Sequence, residues 1–395
     1  TVVCQLKNDL QTDKQRMKNP IIPLYKQADR LIVRSENCYV YDSDNKQYID
    51  FESGDWSSNL GHSNPIINER IKQQVDKLIH DGLRFRNNES EQLSIKLLDK
   101  LSLTGGQCAF VNSGSEAVNL GITIAKNLTG RKKVLKMDCS YLSAFGHGQI
   151  SESNTDLINI PINNLDAFSK IDFEEISVFV FEPGNSSSLI KYPNADFINA
   201  VASSIKKHGG LLMANEVTTG LGRTGKWFGF QYYDYQPDIV TVGKALGNGY
   251  PISGVAISSD ISELFQKSPF RYAQSHQNDA LGCAVGLEVI NTIEKMDLIS
   301  KGFEKGEYFK QSLIQLQTKH PDIVEVRARG LMLAIELKTT EISNYIYNQL
   351  IENGFLIGLK EKTLRFMPPL IIERKHIDEL IKTIDRIITG TQHMV

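Results

Sequence analysis

The stretch "GGLLMANEVTTGLGRTG" (residues 209–225) runs the apolar side chains of Leu211, Leu212, Met213 and Ala214 straight into Asn215, Glu216 and a glycine-rich loop holding Arg223. A short apolar run that opens on glycine and closes on polar residues reads as a buried strand reaching the rim of a sheet. The runs "QCAFV" (107–111), "KKVLKM" (132–137), "SVFVFEP" (177–183), "PDIVTVG" (237–243) and "GVAIS" (254–258) have the same form. Helical patterns separate them, among them "NPIINERIKQQVDKLIHDG" (64–82), "SEQLSIKLLDKLS" (90–102) and "SEAVNLGITIAKNLTG" (115–130). Continuous apolar strands alternating with helices predict an α/β fold, a mostly parallel sheet covered on both faces. Ligands of such sheets sit beyond the carboxyl ends of the strands, so "VNSGSEA", "MDCSY", "EPGNSSS", "ANEVTTG" and "GKALGNG" should ring one site.

Outside this block the pattern changes. "NCYVYDSDNKQYIDFESG" (37–54) alternates β-forming residues around a polar turn and predicts a hairpin. After residue 299 a helix precedes "IVEVRARGLMLAIEL" (323–337) and "LRFMPPLII" (364–372), with a terminal helix beyond, the pattern of a smaller α+β unit. The expected division is therefore an N-terminal arm and hairpin over 1–63 that belongs to the small domain, a large domain over 64–298, and the rest of the small domain over 299–395. The chain shows no low-complexity segment and no internal repeat.

The bulk numbers exclude several classes. With 395 residues, 41% hydrophobic and 23% charged, the chain has ordinary globular composition, and its formal net charge is −2. The only basic cluster, "GRKKVLK" (130–136), reads as a helix end running into a strand, so no nucleic-acid partner is expected. No apolar run reaches the ~18 residues of a membrane span, and the polar N-terminus does not resemble a signal peptide. Five dispersed cysteines, without C-x-x-C or zinc spacing, read as reduced thiols with no metal and a cytoplasmic setting.

Two segments carry chemistry. In "VNSGSEAVNLG" (111–121) a strand runs into Asn-Ser-Gly-Ser at the start of a helix. The exposed amides of Gly114 and Ser115 at the positive helix end form a phosphate cradle, although a plain N-cap by Ser113 or Ser115 explains the same residues. In "PDIVTVGKALGNGYPISG" (237–254), Lys244 follows a buried strand directly and lies between glycines. A lysine desolvated there attacks a carbonyl to form an imine. Phosphate cradle, imine-forming lysine and a polar residue on a third strand end are what pyridoxal phosphate requires. A nicotinamide dinucleotide is disfavoured, because no G-x-G-x-x-G occupies the first strand–helix turn.

Taken together, "NLGHSNP" (59–65), "VNSGSEAVNLGITIA" (111–125), "FEP" (181–183), "ANEVTTGLGRTGKWFGF" (214–230), "DIVTVGKALGNGYPISG" (238–254), "VRARGLMLAIEL" (326–337) and "LRFMPPL" (364–370) resemble the class III pyridoxal-phosphate aminotransferases, the group of acetylornithine, ornithine and 4-aminobutyrate aminotransferases. The resemblance implies the aspartate-aminotransferase type of fold (fold type I) and a homodimer with active sites at the subunit interface. It implies that Lys244 forms the Schiff base and that Ser113, Gly114 and Ser115 hold the phosphate. Tyr141 would stack on one ring face and Val217 press on the other, with Glu182, Asn215 and Thr218 completing the cofactor site. Ser275 would reach the neighbouring subunit's phosphate. Arg365, with Trp56, would meet the substrate; Arg84 and Arg86 either substitute for the family's second arginine or are outward-facing loop residues.

The departures from the family pattern are specific. The usual D-E-V-Q-T-G reads Asn215-Glu216-Val217-Thr218-Thr219-Gly220, so an amide stands where an aspartate faces the pyridine nitrogen. Ala144 stands where acetylornithine and ornithine enzymes carry an arginine, and Ser187 where they carry a switching glutamate. Transfer of an amino group to a 2-oxo acid is the expected reaction. A weaker electron sink and the missing glutamate leave racemisation, elimination or cyclisation of an amino acid as the alternative.

Overall fold

The computed structural model describes residues 21–22, 24–25, 28, 30–185 and 189–391. The N-terminal arm over 1–20 and the substituted Ser187 lie outside the described residues. The expected hairpin forms from β2 (Tyr39–Asp42) and β3 (Gln47–Asp50), with β1 (Ile32–Glu36) antiparallel to β2.

Each apolar run named above becomes a strand. They are β4 (Gln107–Val111), β5 (Lys133–Met137), β7 (Ile176–Phe181), β8 (Leu211–Asn215), β9 (Ile239–Val242) and β10 (Ser253–Ile257). A further strand, β6 (Leu157–Ile160), stands at the sheet edge, and the spatial order is β4-β10-β9-β8-β7-β5-β6. From β9 through β8, β7 and β5 to β6 every pairing is parallel. Only β10 runs against its neighbours β4 and β9. The carboxyl ends of β4, β5, β7, β8 and β9 therefore open on one edge.

Complete burial explains the continuous apolar runs. All residues of β7, β9 and β10 are buried. The helix Gly114–Thr129 is fixed against this sheet at its small residues: a Cβ on Gly121 would lie 2.8 Å from the Met213 methyl of β8. That contact brings the helix N-terminus beside the end of β8.

The C-terminal part contributes β11 (Ile323–Arg329), β12 (Met332–Leu337), β13 (Phe355–Leu356), β14 (Gly358–Lys360) and β15 (Thr363–Phe366). β11, β12, β15 and β14 form an antiparallel sheet, while β13 pairs parallel to β3 of the N-terminal hairpin. The N-terminal hairpin and the C-terminal part thus share one sheet. Among the described residues no helix is long and apolar enough to cross a membrane.

Candidate active site

Lys244 opens the site. It leaves β9 after Gly243 with φ 44°, a left-handed conformation that is uncommon for a side chain with a Cβ and is often held at functional positions. Its Nζ donates to the Asp55 carbonyl at 3.1 Å and lies 4.1 Å from the centre of the Trp56 ring. Burial lowers its pKa, against opposing contributions from Asp55, Glu52 and Glu182. A desolvated lysine of this kind is more readily available as a neutral nucleophile.

The wall against Lys244 is unusual backbone. Ser53, Gly54, Asp55 and Trp56 have φ of 44°, 58°, 54° and 68°. Left-handed turns of L-residues cost roughly 1–2 kcal/mol per residue, so this one needs external support. Asp50 supplies part of it: Oδ1 accepts the Glu52 N–H at 2.7 Å and Oδ2 the Gly54 N–H at 2.8 Å, with His62 Nε2 2.7 Å from Oδ2. The Ser53 hydroxyl donates to the Met367 carbonyl at 2.7 Å and accepts from Arg223 at 3.0 Å. Arg223 is fully buried, and it also donates to the carbonyls of Leu331 and Pro368 and to the Asn59 side chain. Arg223 is therefore a brace that ties the loop after β8 to both chain ends. Burial brings its pKa down to about 9.

Across from this wall, Trp56, Ser113, Gly114, Ser115, Tyr141, Leu142, Glu182, Asn215, Val217, Thr218 and Lys244 enclose a cavity of about 290 Å³. Ser113 caps the helix Gly114–Thr129, and the Glu116 carboxylate accepts the amides of Asn112 and Ser113 at 2.8 Å each. Among the described residues the amides of Gly114 and Ser115 have no acceptor. Glycine at 114 is a steric requirement, since a Cβ there would stand 2.8 Å from a Val217 methyl. Thr218 Oγ1 is buried without a partner. Tyr141 is 47% exposed at the cavity mouth, and its amide donates to Glu182 at 3.1 Å.

Arg365 lies on β15, 5.4 Å from the Trp56 ring. Glu52 stands beside it, and a Cβ on Gly358 would strike both side chains. Arg84 and Arg86 are exposed outside this cavity, Arg86 ion-paired to Glu91, and Ser275 is exposed on the single chain. The reading of the sequence missed Asp50, Glu52, Asp55 and the bracing role of Arg223.

The model of the family "Aminotransferase class-III" matches residues 24–388. The chain belongs to the class III aminotransferases. It is 32% identical over 373 residues to the acetylornithine aminotransferase of Aquifex aeolicus, covering 90% of this chain and 96% of that one. To the [LysW]-aminoadipate semialdehyde/glutamate semialdehyde transaminase of Sulfolobus acidocaldarius it is 29% identical, covering 91% and 95%. The crystal structure of acetylornithine aminotransferase from Elizabethkingia anophelis superposes with a TM-score of 0.83 at 26% identity, over 97% of this chain and 99% of that one. The fold also matches taurine:2-oxoglutarate aminotransferase from Bifidobacterium kashiwanohense, solved with pyridoxal phosphate and glutamate (TM-score 0.89, 22% identity, 97% and 98% coverage).

This class III aminotransferase has the fold type I architecture and acts through pyridoxal phosphate. Its residues fit the group: free helix amides suit a phosphate, the orphaned Thr218 hydroxyl suits a polar ring substituent, and Lys244 is desolvated.

The site also stores an electrostatic load. Burial pushes the Glu182 carboxyl up to about 8, and those of Glu52 and Glu216 up to about 7. A carboxyl whose pKa is raised on folding binds its proton more tightly in the native state, so its stabilising share is complete at low pH and is lost as pH rises through the folded value. The cofactor-free protein should lose stability between about pH 5 and about pH 8 through these groups. Glu182→Gln should flatten that slope in urea titrations of the cofactor-free form. An unchanged slope would show that Glu182 ionises freely in the native state.

Proposed function

We propose that the enzyme takes the amino group of a carboxylate-bearing amino acid and delivers it to a 2-oxo acid, with Lys244 and Arg365 as the two functional poles of the site. The observation that carries this reading is the Trp56 ring, which has the Lys244 ammonium 4.1 Å from its centre and the Arg365 guanidinium 5.4 Å from it. One indole thus bridges a nucleophile and a carboxylate fork, a spacing suited to a small amphoteric substrate.

Bound pyridoxal phosphate withdraws electrons from the substrate carbon that carries the nitrogen. The chain does the rest. The Gly114 and Ser115 amides would hold the phosphate at a helix N-terminus. Val217 and Tyr141, which both line the cavity, would confine the ring. Lys244 Nζ would hold the cofactor covalently and, as a desolvated amine, would serve as the base that takes up and returns a proton at Nζ. Arg365 grips the carboxylate with paired donors and fixes the substrate. Transfer is favoured over racemisation, elimination or cyclisation by the family and by the activity in each relative's name. Ser275, exposed on the single chain, suits contact with a second copy, and a homodimer is part of this proposal.

Arg365→Lys keeps the charge and loses the fork. The Michaelis constant for amino acids should rise roughly ten- to a hundredfold, the loss of a charged hydrogen bond, while simple amines change little. Equal changes for both substrate types would assign Arg365 a structural role only.

A further inference from the structure

Asn215 ends β8 and is buried, at 4% exposure. Its side-chain oxygen accepts from the Val217 amide and from the Thr241 hydroxyl, both at 3.3 Å. The first contact fixes the orientation. A backbone N–H only donates, so turning the side chain over would set the Asn215 NH2 group against another donor. The threonine hydroxyl can rotate to either role, but the Val217 amide cannot. The NH2 group therefore faces away from these partners. Both side-chain bonds go to the oxygen, so among the described residues the NH2 group has no acceptor, and Asn215 lines the cavity that holds Lys244.

The chemistry of the cofactor decides what the NH2 group meets. In pyridoxal phosphate the carbon that bonds to lysine and the ring nitrogen lie opposite each other across the ring. With that carbon at Lys244 and the phosphate at the Gly114 and Ser115 amides, the nitrogen would lie on the side of the ring away from Lys244. Asn215, at the end of β8, is a lining residue that could meet it.

We propose that Asn215 donates a hydrogen bond to the cofactor's ring nitrogen and so holds that nitrogen unprotonated in the resting enzyme. This rests on the cofactor occupying the Lys244 cavity as proposed above. A protonated ring would turn its own N–H on the Asn215 NH2 group, two donors in a buried site, whereas the bare nitrogen supplies the missing acceptor. The ionisable groups facing the cavity do not reverse this. Glu182 is held neutral by burial at neutral pH, and Lys244 adds no negative charge. The site thus keeps a weaker electron sink, and more of the proton transfer falls to the positioning of Lys244.

Nitrogen NMR of the holoenzyme loaded with 15N-labelled pyridoxal phosphate tests this without recourse to turnover. The wild-type signal should have the chemical shift of an unprotonated pyridine and remain there across neutral pH. A wild-type signal at the protonated position overturns the proposal. In Asn215→Asp, the carboxylate replaces the donor with an acceptor, and the signal should move to the protonated position. A folded Asn215→Asp enzyme with the wild-type signal would show that another group faces the nitrogen. The wild-type spectrum decides by itself if the variant does not fold. Borohydride reduction and peptide mapping on the same sample separate the two readings. An adduct away from Lys244 removes the site assignment, whereas an adduct on Lys244 with a protonated ring removes only the inference about Asn215.

Discussion

Lys244→Ala should lower turnover by several orders of magnitude while leaving the fold and the phosphate cradle in place. Two functions are lost with one side chain, the covalent anchor and the proton carrier, and groups that act together in this way give large single-variant losses. The Gly114 and Ser115 amides are backbone and survive the change, so equilibrium dialysis should still show cofactor binding. Borohydride reduction should fix labelled cofactor on the Lys244 peptide in the wild type and on no peptide in the variant. A variant with near-normal turnover would remove Lys244 from the chemistry. Loss of the left-handed turn would be the structural confound, and the unfolding midpoint checks it directly.

The second large effect is on stability. Arg223→Met is close in volume but leaves the carbonyls of Leu331 and Pro368 and the side chains of Ser53 and Asn59 without their donor. Leaving buried neutral acceptors without their donor costs about 1–3 kcal/mol, because the orphaned groups stay desolvated. The urea midpoint should fall accordingly. Cofactor affinity should fall with it, since Ser53 loses one of the bonds that hold its left-handed turn against Lys244. A midpoint within error of the wild type would mean that the turn holds its shape without the brace.

Much of the large sheet was legible because burial on both faces makes a strand continuously apolar. "GGLLMAN" and "PDIVTVG" could be read without ambiguity for that reason. β6 escaped notice because it is a half-covered edge strand of four residues, "LINI", set among polar neighbours. The reversed direction of β10 left no mark, since a buried strand has the same composition whichever way it runs. The cofactor cavity was legible at the strand ends, where polar residues interrupt apolar runs at Ser113, Glu182, Asn215 and Lys244. The left-handed turn was not. "ESGDW" holds one glycine among residues that ordinarily avoid positive φ, and only partners distant in sequence make the conformation tenable. The same applies to Arg223, which in a glycine-rich loop looks like a surface or ligand-binding residue until its acceptors are known. The orientation of the Asn215 amide depended likewise on Val217 and Thr241 in the folded state.

The dispersed anchors of the Ser53–Trp56 turn also set a timetable. Its support comes from Asp50 near one end of the chain, Arg223 in the middle, and Met367 and Pro368 near the other. A chain emerging from the ribosome completes β9 and Lys244 long before residues 367 and 368 exist, and until then the wall beside the lysine lacks its fastenings to Met367 and Pro368. A polypeptide cut before residue 367 should therefore hold the wall beside Lys244 less firmly and desolvate the lysine less.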